Sequence, residues 1–408
     1  MVKKYGLLFL LLWFTLWVSG CWSKKEIENL AIVSAIGVDF VEIDGKPKWE
    51  VTMEIYHPKA LAPTGGDGIS RGGSGQKLIS WIVTSVGDTV DEAINHISAR
   101  TPRVLFFAHT RVVIVGKEAV ENYNLEEVLS LFFSSHEARL RNWVLIADGT
   151  AKEVLLTGPE MEPTRAGELE ELIQQTRKRL SKAEVLNFRD VGEAMALPGK
   201  DVITGRVEVF KTPEPPTAIY LPGQESVRHT MRLSGGAVFS KGDFAGWFSD
   251  LETRGYLFLV GKARMTIVPI HLANDDTFDG NVRIIKASSR IIPEIAGSDL
   301  KMKVMIQAEG HLEGFFPGDF AVTSGFFDEV GRKTALELKK DILAALNKAK
   351  EYRADIFGFG EQVYRRYPKY WQLVKEQWRD YFASLPVEVE VKVTIRRTGI
   401  FEEPVPSR

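Results

Sequence analysis

The stretch IENLAIVSAIGVDFVEIDGKPKWEVTMEIY, residues 27–56, decides the fold class. Its first part, Ile27 to Asp39, is a dense apolar run that reads as a short turn entering a buried strand. Its last part, Trp49 to Tyr56, alternates apolar and polar residues, the period of a half-buried strand. Between them, Asp44-Gly45 is a pair able to take the positive φ angles of a two-residue hairpin turn. A hairpin at the head of the chain, followed by interleaved strands and helices, predicts an α+β fold rather than a doubly wound parallel sheet.

Downstream the alternation continues. Strands are expected at 78–85, 111–115 and 142–147, and helices beginning at Thr89, an N-cap candidate, and over 120–131, 150–156 and 166–183. At Asp201 the pattern changes: residues 202–210 form a strand leading into the proline-rich 212–217, a surface crossing or domain joint. Residues 233–239 are a strand, 251–259 fit helix or strand, and 267–270, 282–287 and 302–308 are strands separated by turn residues. A long helix follows, with Ala335, Leu338, Ile342, Ala345, Leu346 and Ala349 on one face. Pro368 opens another, carrying Trp371, Val374, Trp378 and Phe382 as a single apolar stripe. The segment from Val387 to Arg396 has the cleanest alternation in the chain, with one core face and one wet face.

The N-terminus has the layout of a secretory signal: Lys3 and Lys4, an apolar run from Leu7 to Val18, then Ser19-Gly20. Its apolar part falls short of the ~20 residues that cross a bilayer. Val18-Ser19-Gly20-Cys21 resembles the lipobox of bacterial lipoproteins, whose cysteine receives a diacylglyceryl group and becomes the first residue of the mature chain. Cys21 is therefore the expected lipidation site, because two acyl chains anchor stably where one does not. Lys24 and Lys25 follow it, near acidic headgroups or simply solvated. The alternatives are a plain signal with a buried cysteine beyond it, and an uncleaved anchor.

The residues after Cys21 exceed one ordinary core of ~100–200 residues, so two or three domains are expected. With 52 Lys and Arg against 54 Asp and Glu, nothing marks a nucleic acid as partner. Cys21 is the single cysteine, so once acylated it leaves no thiol for a disulfide or a thiolate metal site. The seven histidines are scattered without helical metal spacing. Gly72-Gly-Ser-Gly-Gln departs from a nucleophile elbow at its last position, and the acidic 275–280 turn has Lys286 where a calcium loop needs a glutamate. No catalytic, cofactor or metal residue is predicted. In Asp355-Ile-Phe-Gly-Phe-Gly360, as in Phe315-Phe316-Pro-Gly, aromatics meet glycine. Gly358 and Gly360 there let a tight helix connection approach the core while Phe357 and Phe359 fill it, and a cupped ligand is the competing use. The basic and aromatic cluster 364–370 fits a partner surface or a snorkelling helix face.

Several blocks carry a resemblance. The lipobox followed by Trp22 and residues 26–39, Gly149-Thr-Ala-Lys-Glu-Val, Leu233-Ser-Gly-Gly-Ala-Val-Phe239 with Glu252-Thr-Arg-Gly255, DIFGFGEQVYRRYPKYW and VKVTIRRTG are together similar to the Ger(x)C family, the C subunits of spore germinant receptors. The resemblance spans nearly the whole mature chain in order. It implies three α+β domains of mixed sheets with packed helices, divided as 21–200, 201–270 and 271–408 after a cleaved signal at 1–20. It also implies a lipoprotein on the outer face of the spore inner membrane, working with an A subunit and a permease-like B subunit in the response to nutrients, and no catalytic activity. No family role is carried onto the glycine-rich 58–75. The competing functions are a solute-binding lipoprotein of a transporter, which needs a two-lobed body, and an anchored cell-wall hydrolase, which needs a nucleophile, paired carboxylates or a metal set.

Overall fold

The computed structural model describes residues 29–56, 80–133, 139–213, 227–271, 280–297, 299–313 and 324–396. The signal segment, Cys21, the glycine-rich 58–75, the turn residues 275–279, Phe315-Phe316 and most of the proline-rich 212–217 lie outside the described residues.

Strands β1 (Leu30–Ile43) and β2 (Lys46–Tyr56) form the expected hairpin, with Ile43 opposite Lys46. Asp44 and Gly45 both have positive φ, 52° and 70°, as a two-residue turn matched to strand twist requires. Strand β3 (Ser80–Gly87) extends the pair antiparallel. On the other side, β4 (Val104–Phe106) pairs with the start of β1 and β5 (Val112–Val115) with its middle, both in parallel. Strand β6 (Trp143–Ala147) continues in parallel, flanked by the two-residue β7 (Leu186–Asn187), and β8 (Ile203–Pro213) is parallel again. Strands β9 (Val227–Ser240) and β10 (Asp243–Phe248) complete the sheet antiparallel. A parallel centre therefore carries antiparallel strands on both sides.

That centre is covered on both faces, and alternate residues of its strands show it. Val113, Val115, Val144 and Ile146 pack with residues of α1 (Val90–Ala99), α2 (Lys117–Asn122), α3 (Leu125–Phe133) and α6 (Phe188–Ala196). Val112, Ile114, Leu145 and Ala147 pack with α4 (Ala151–Leu156) and α5 (Arg165–Gln175). The short apolar strands at 112–115 and 143–147 are what a doubly covered parallel strand demands.

Helix α7 (Asp250–Leu259) leads to the second sheet, ordered β11 (Thr266–Ile270), β12 (Gly280–Ala296), β13 (Asp299–Glu313), β14 (Val387–Ile395). Strand β14 is parallel to β13 and the other pairs are antiparallel. Helix α8 (Ser324–Glu351) buries Leu338, Ile342, Ala345 and Ala349 in one core with Met302, Val304, Ile306 and Val393. Helices α9 (Phe359–Arg366), α10 (Pro368–Val374) and α11 (Trp378–Ser384) fold back between α8 and β14 in the chain. Gly255 lets α7 lie against α8, since a Cβ there would sit 2.1 Å from the Asp341 carbonyl oxygen.

The α+β class is as expected. Strands 203–248 belong to the first sheet and 266–270 to the second, so hydrogen bonding runs across residues 200 and 270. Strands expected at 233–239, 282–287 and 302–308 run longer, over 227–240, 280–296 and 299–313, and three expected helices are cut or broken. The helix expected over 166–183 ends at Gln175 and widens through one turn, Thr176–Leu180, into Ser181 at φ 50°. There the Ser181 hydroxyl donates to the Arg264 carbonyl at 2.6 Å and accepts from its amide at 2.8 Å, so a tertiary contact overrides local helix propensity. The helix over 120–131 is two, broken where Asn124 bonds the Lys241 carbonyl. The 368–384 stripe is interrupted by a tight turn at Lys375–Gln377, yet Trp371, Trp378 and Phe382 all remain buried.

Candidate functional site at the junction of the two sheets

Three buried carboxylates organise the molecule, and each sits on the start of a helix. The first amides of a helix lack partners within it and carry partial positive charge. At α4, Ala151 and Lys152 donate their amides to Asp39 at 2.7 and 2.9 Å, while the Thr150 hydroxyl accepts from Glu153. At α5, Arg165 and Ala166 donate to Glu54 at 2.9 Å each, and the Thr164 hydroxyl accepts from Gly167. Ser34 and Ser80 also donate to Glu54, at 2.8 Å each. At α9, where the cap position is Gly358 and has no side chain, Phe359 and Gly360 donate to Asp355 at 3.0 and 2.8 Å.

Asp355 does more than cap. The indole of Trp378 donates to it at 3.0 Å, and its backbone exchanges two bonds with Asp201 from the first sheet's side. The Asp201 amide donates to the Asp355 carbonyl at 2.9 Å, and the Asp355 amide donates to the Asp201 carboxylate at 2.8 Å. The Lys241 amide occupies the other Asp201 oxygen at 2.8 Å. Burial pushes the Asp355 carboxyl up to about 7 and the Asp39 carboxyl to about 6, only partly offset by the amides donating to them. Asp201 is raised for the same reason.

Close packing locks this joint. A Cβ on Gly360 would lie 2.7 Å from the Gly199 Cα, and one on Gly199, whose φ is 61°, would lie 2.5 Å from the Trp371 ring. Phe357 and Phe359 are buried and stacked at 5.4 Å, which settles the aromatic–glycine segment as core packing rather than a ligand cup. Beside the joint is a recess of about 280 Å³ whose lining includes Lys200, Lys241, Lys375 and Arg379 together with Glu126, Asp201, Trp371 and Trp378. Lys200 lies 3.8 Å from Glu361, and Lys375 lies 3.7 Å from Glu376. Chemically, the recess is of mixed charge, with four cations and two carboxylates around two indole rings. Asp39, Glu54, Asp201 and Asp355 each accept from two backbone amides.

Of the residues singled out in the sequence, Cys21 lies outside the described residues. The 364–370 cluster spreads over a helix surface: Arg365 pairs with Glu361 at 2.6 Å, Arg366 stacks on Tyr367, and the Tyr370 hydroxyl bonds that of Tyr381 at 2.8 Å. Among the described residues no group of three or more metal-ligating side chains is assembled, and no helix is long and apolar enough to cross a membrane. Nothing local in the sequence marks Asp201, Asp39 or Glu54 for these contacts. Asp355, four residues before a helix start, has a local signal; Asp201, whose amide partners Lys241 and Asp355 lie in distant turns, has none.

Fold and joint define a two-sheet α+β body whose buried acids serve structure. Two family models match it in tandem: the spore germination protein N-terminal domain over residues 23–209, and the spore germination B3/GerAC-like C-terminal domain over 234–399. The chain belongs to this Ger(x)C family of spore germination proteins. It is 24% identical to spore germination protein KC of Bacillus subtilis (strain 168), over 99% of this chain and 98% of that one. It is 27% identical to spore germination protein YndF of the same organism, over 94% of each. The crystal structure of the GerBC protein superposes with a TM-score of 0.51 at 17% identity, covering 89% of this chain and 97% of that one, a likeness of fold.

Proposed function

We propose that this chain is a non-enzymatic, lipid-anchored subunit of a membrane germinant receptor, required for nutrient-triggered spore germination. The observation that carries the proposal is the tandem family match along most of the chain, preceded by the lipobox-like Val18-Ser19-Gly20-Cys21. Signal cleavage leaves Cys21 as the first residue, its diacylglyceryl group holds the body on the outer face of the spore inner membrane, and integral A and B subunits are its partners. The division of the mature chain into 21–200, 201–270 and 271–408 belongs to the same proposal, as segments of one body whose two sheets cross both boundaries.

Intact-mass analysis of the protein from the membrane fraction tests the anchor. The expected species starts at Cys21 and carries diacylglycerol; an unmodified, secreted chain overturns it. Affinity capture of the detergent-solubilised protein tests the partners, with the A and B subunits expected in the eluate and their absence counting against assembly.

A further inference from the structure

The described chain begins at one end of the first sheet, where β1 starts beside β4, and there the surface changes character. Val104, opposite Leu30, is 62% exposed, and Leu140 is 56% exposed. Arg139 and Arg141 flank Leu140 immediately before β6, both exposed, and Arg177 lies 4.9 Å over the Trp143 ring. Arg111 pairs with Glu170 at 2.8 Å, whereas Arg139, Arg141 and Arg177 have no ion-pair partner among the described residues. A cavity of about 740 Å³ opens here, lined by Ile32, Tyr56 and Trp143 and by Arg111, Arg139 and Arg141.

We propose that this end of the sheet faces the bilayer and that the arginine-lined cavity takes the phosphate-bearing headgroup of an acidic phospholipid. The inference rests on the acylation of Cys21. Eight residues, 22–29, separate that anchor from β1. At ~3.3–3.6 Å each they reach at most about 30 Å. Strand β1 is 14 residues long, so its far end stands roughly 45 Å further away. The tether therefore presents the β1 start, and not the Asp44-Gly45 hairpin, to the lipid. Guanidinium groups match phosphate oxygens in a planar two-bond geometry, and the exposed Leu140 between two of them suits the headgroup–acyl boundary.

The lipidated full chain provides the test, because its single cysteine is consumed by the acyl chains and a new one can be labelled. Leu140→Cys and, as the distant control, Ile43→Cys carry an environment-sensitive fluorophore in vesicles of phosphatidylcholine alone or mixed with phosphatidylglycerol. The expected result is that the protein floats with both vesicles, that the Leu140-site probe shifts to the blue only with phosphatidylglycerol, and that the Ile43-site probe does not move. Combining Leu140→Cys with Arg139→Gln and Arg141→Gln should abolish the shift while flotation persists. A floating protein whose Leu140-site probe ignores phosphatidylglycerol overturns the proposal alone. A protein that floats with neither vesicle overturns the anchor and the proposal together. A shift reproduced by inorganic phosphate over phosphatidylcholine assigns the cavity to free phosphate and overturns the lipid assignment.

Discussion

Asp355 condenses the energetics of the joint into one side chain. Its carboxyl is raised from 3.8 to about 7, and that of Asp39 from 3.8 to about 6, so the folded chain holds these protons more tightly than the unfolded chain does. Stability from these groups is accordingly full below pH 3.8 and is lost as pH rises through about 6 to about 7. Thermal melts should show Tm falling between pH 5 and pH 7.5, and Asp355→Asn should flatten that slope while lowering stability by about 1–3 kcal/mol, since one amide oxygen cannot accept all three donors. An unchanged slope in the variant would contradict the assignment. Phe359, fully buried against Phe357 and Phe382, should cost about 3–5 kcal/mol as Phe359→Ala in denaturant unfolding. Its packing was legible in the sequence because aromatics alternating with glycine have few other uses. The caps Asp39 and Glu54 were not legible, because an acid inside an apolar strand acquires its purpose only from the helix that folds onto it.

At the scale of elements, hairpins were the most legible feature: Asp44-Gly45 fixes its turn through φ alone, independent of anything distant. The 251–259 segment was ambiguous by periodicity because most of α7 is buried on all sides. What resolves it is the capping box, with the Ser249 hydroxyl accepting from the Glu252 amide at 3.3 Å and the Ser249 amide donating to the Glu252 carboxylate at 2.7 Å. Ser249→Ala should lower stability by ~1 kcal/mol in chemical unfolding, and no change would remove the box as the reason for this helix start. Helix lengths were the least legible, since Ser181 and Asn124 end their helices through contacts with Arg264 and Lys241, far along the chain.

For the whole molecule, the class and the family were accessible from sequence, because the motif blocks occur in order along the chain. The joint was not, since it exists only when residues 199–201, 241 and 355–378 meet. Its lysine-lined recess has no local signature for the same reason. What this body does when anchored is tested directly in spores. In a sporulating host without redundant receptors, nutrient-triggered release of dipicolinate should be lost when the gene is deleted, restored by the parent chain and strongly reduced with Cys21→Ala. Release at the parental rate from the deletion strain, for every nutrient tested, would contradict the account.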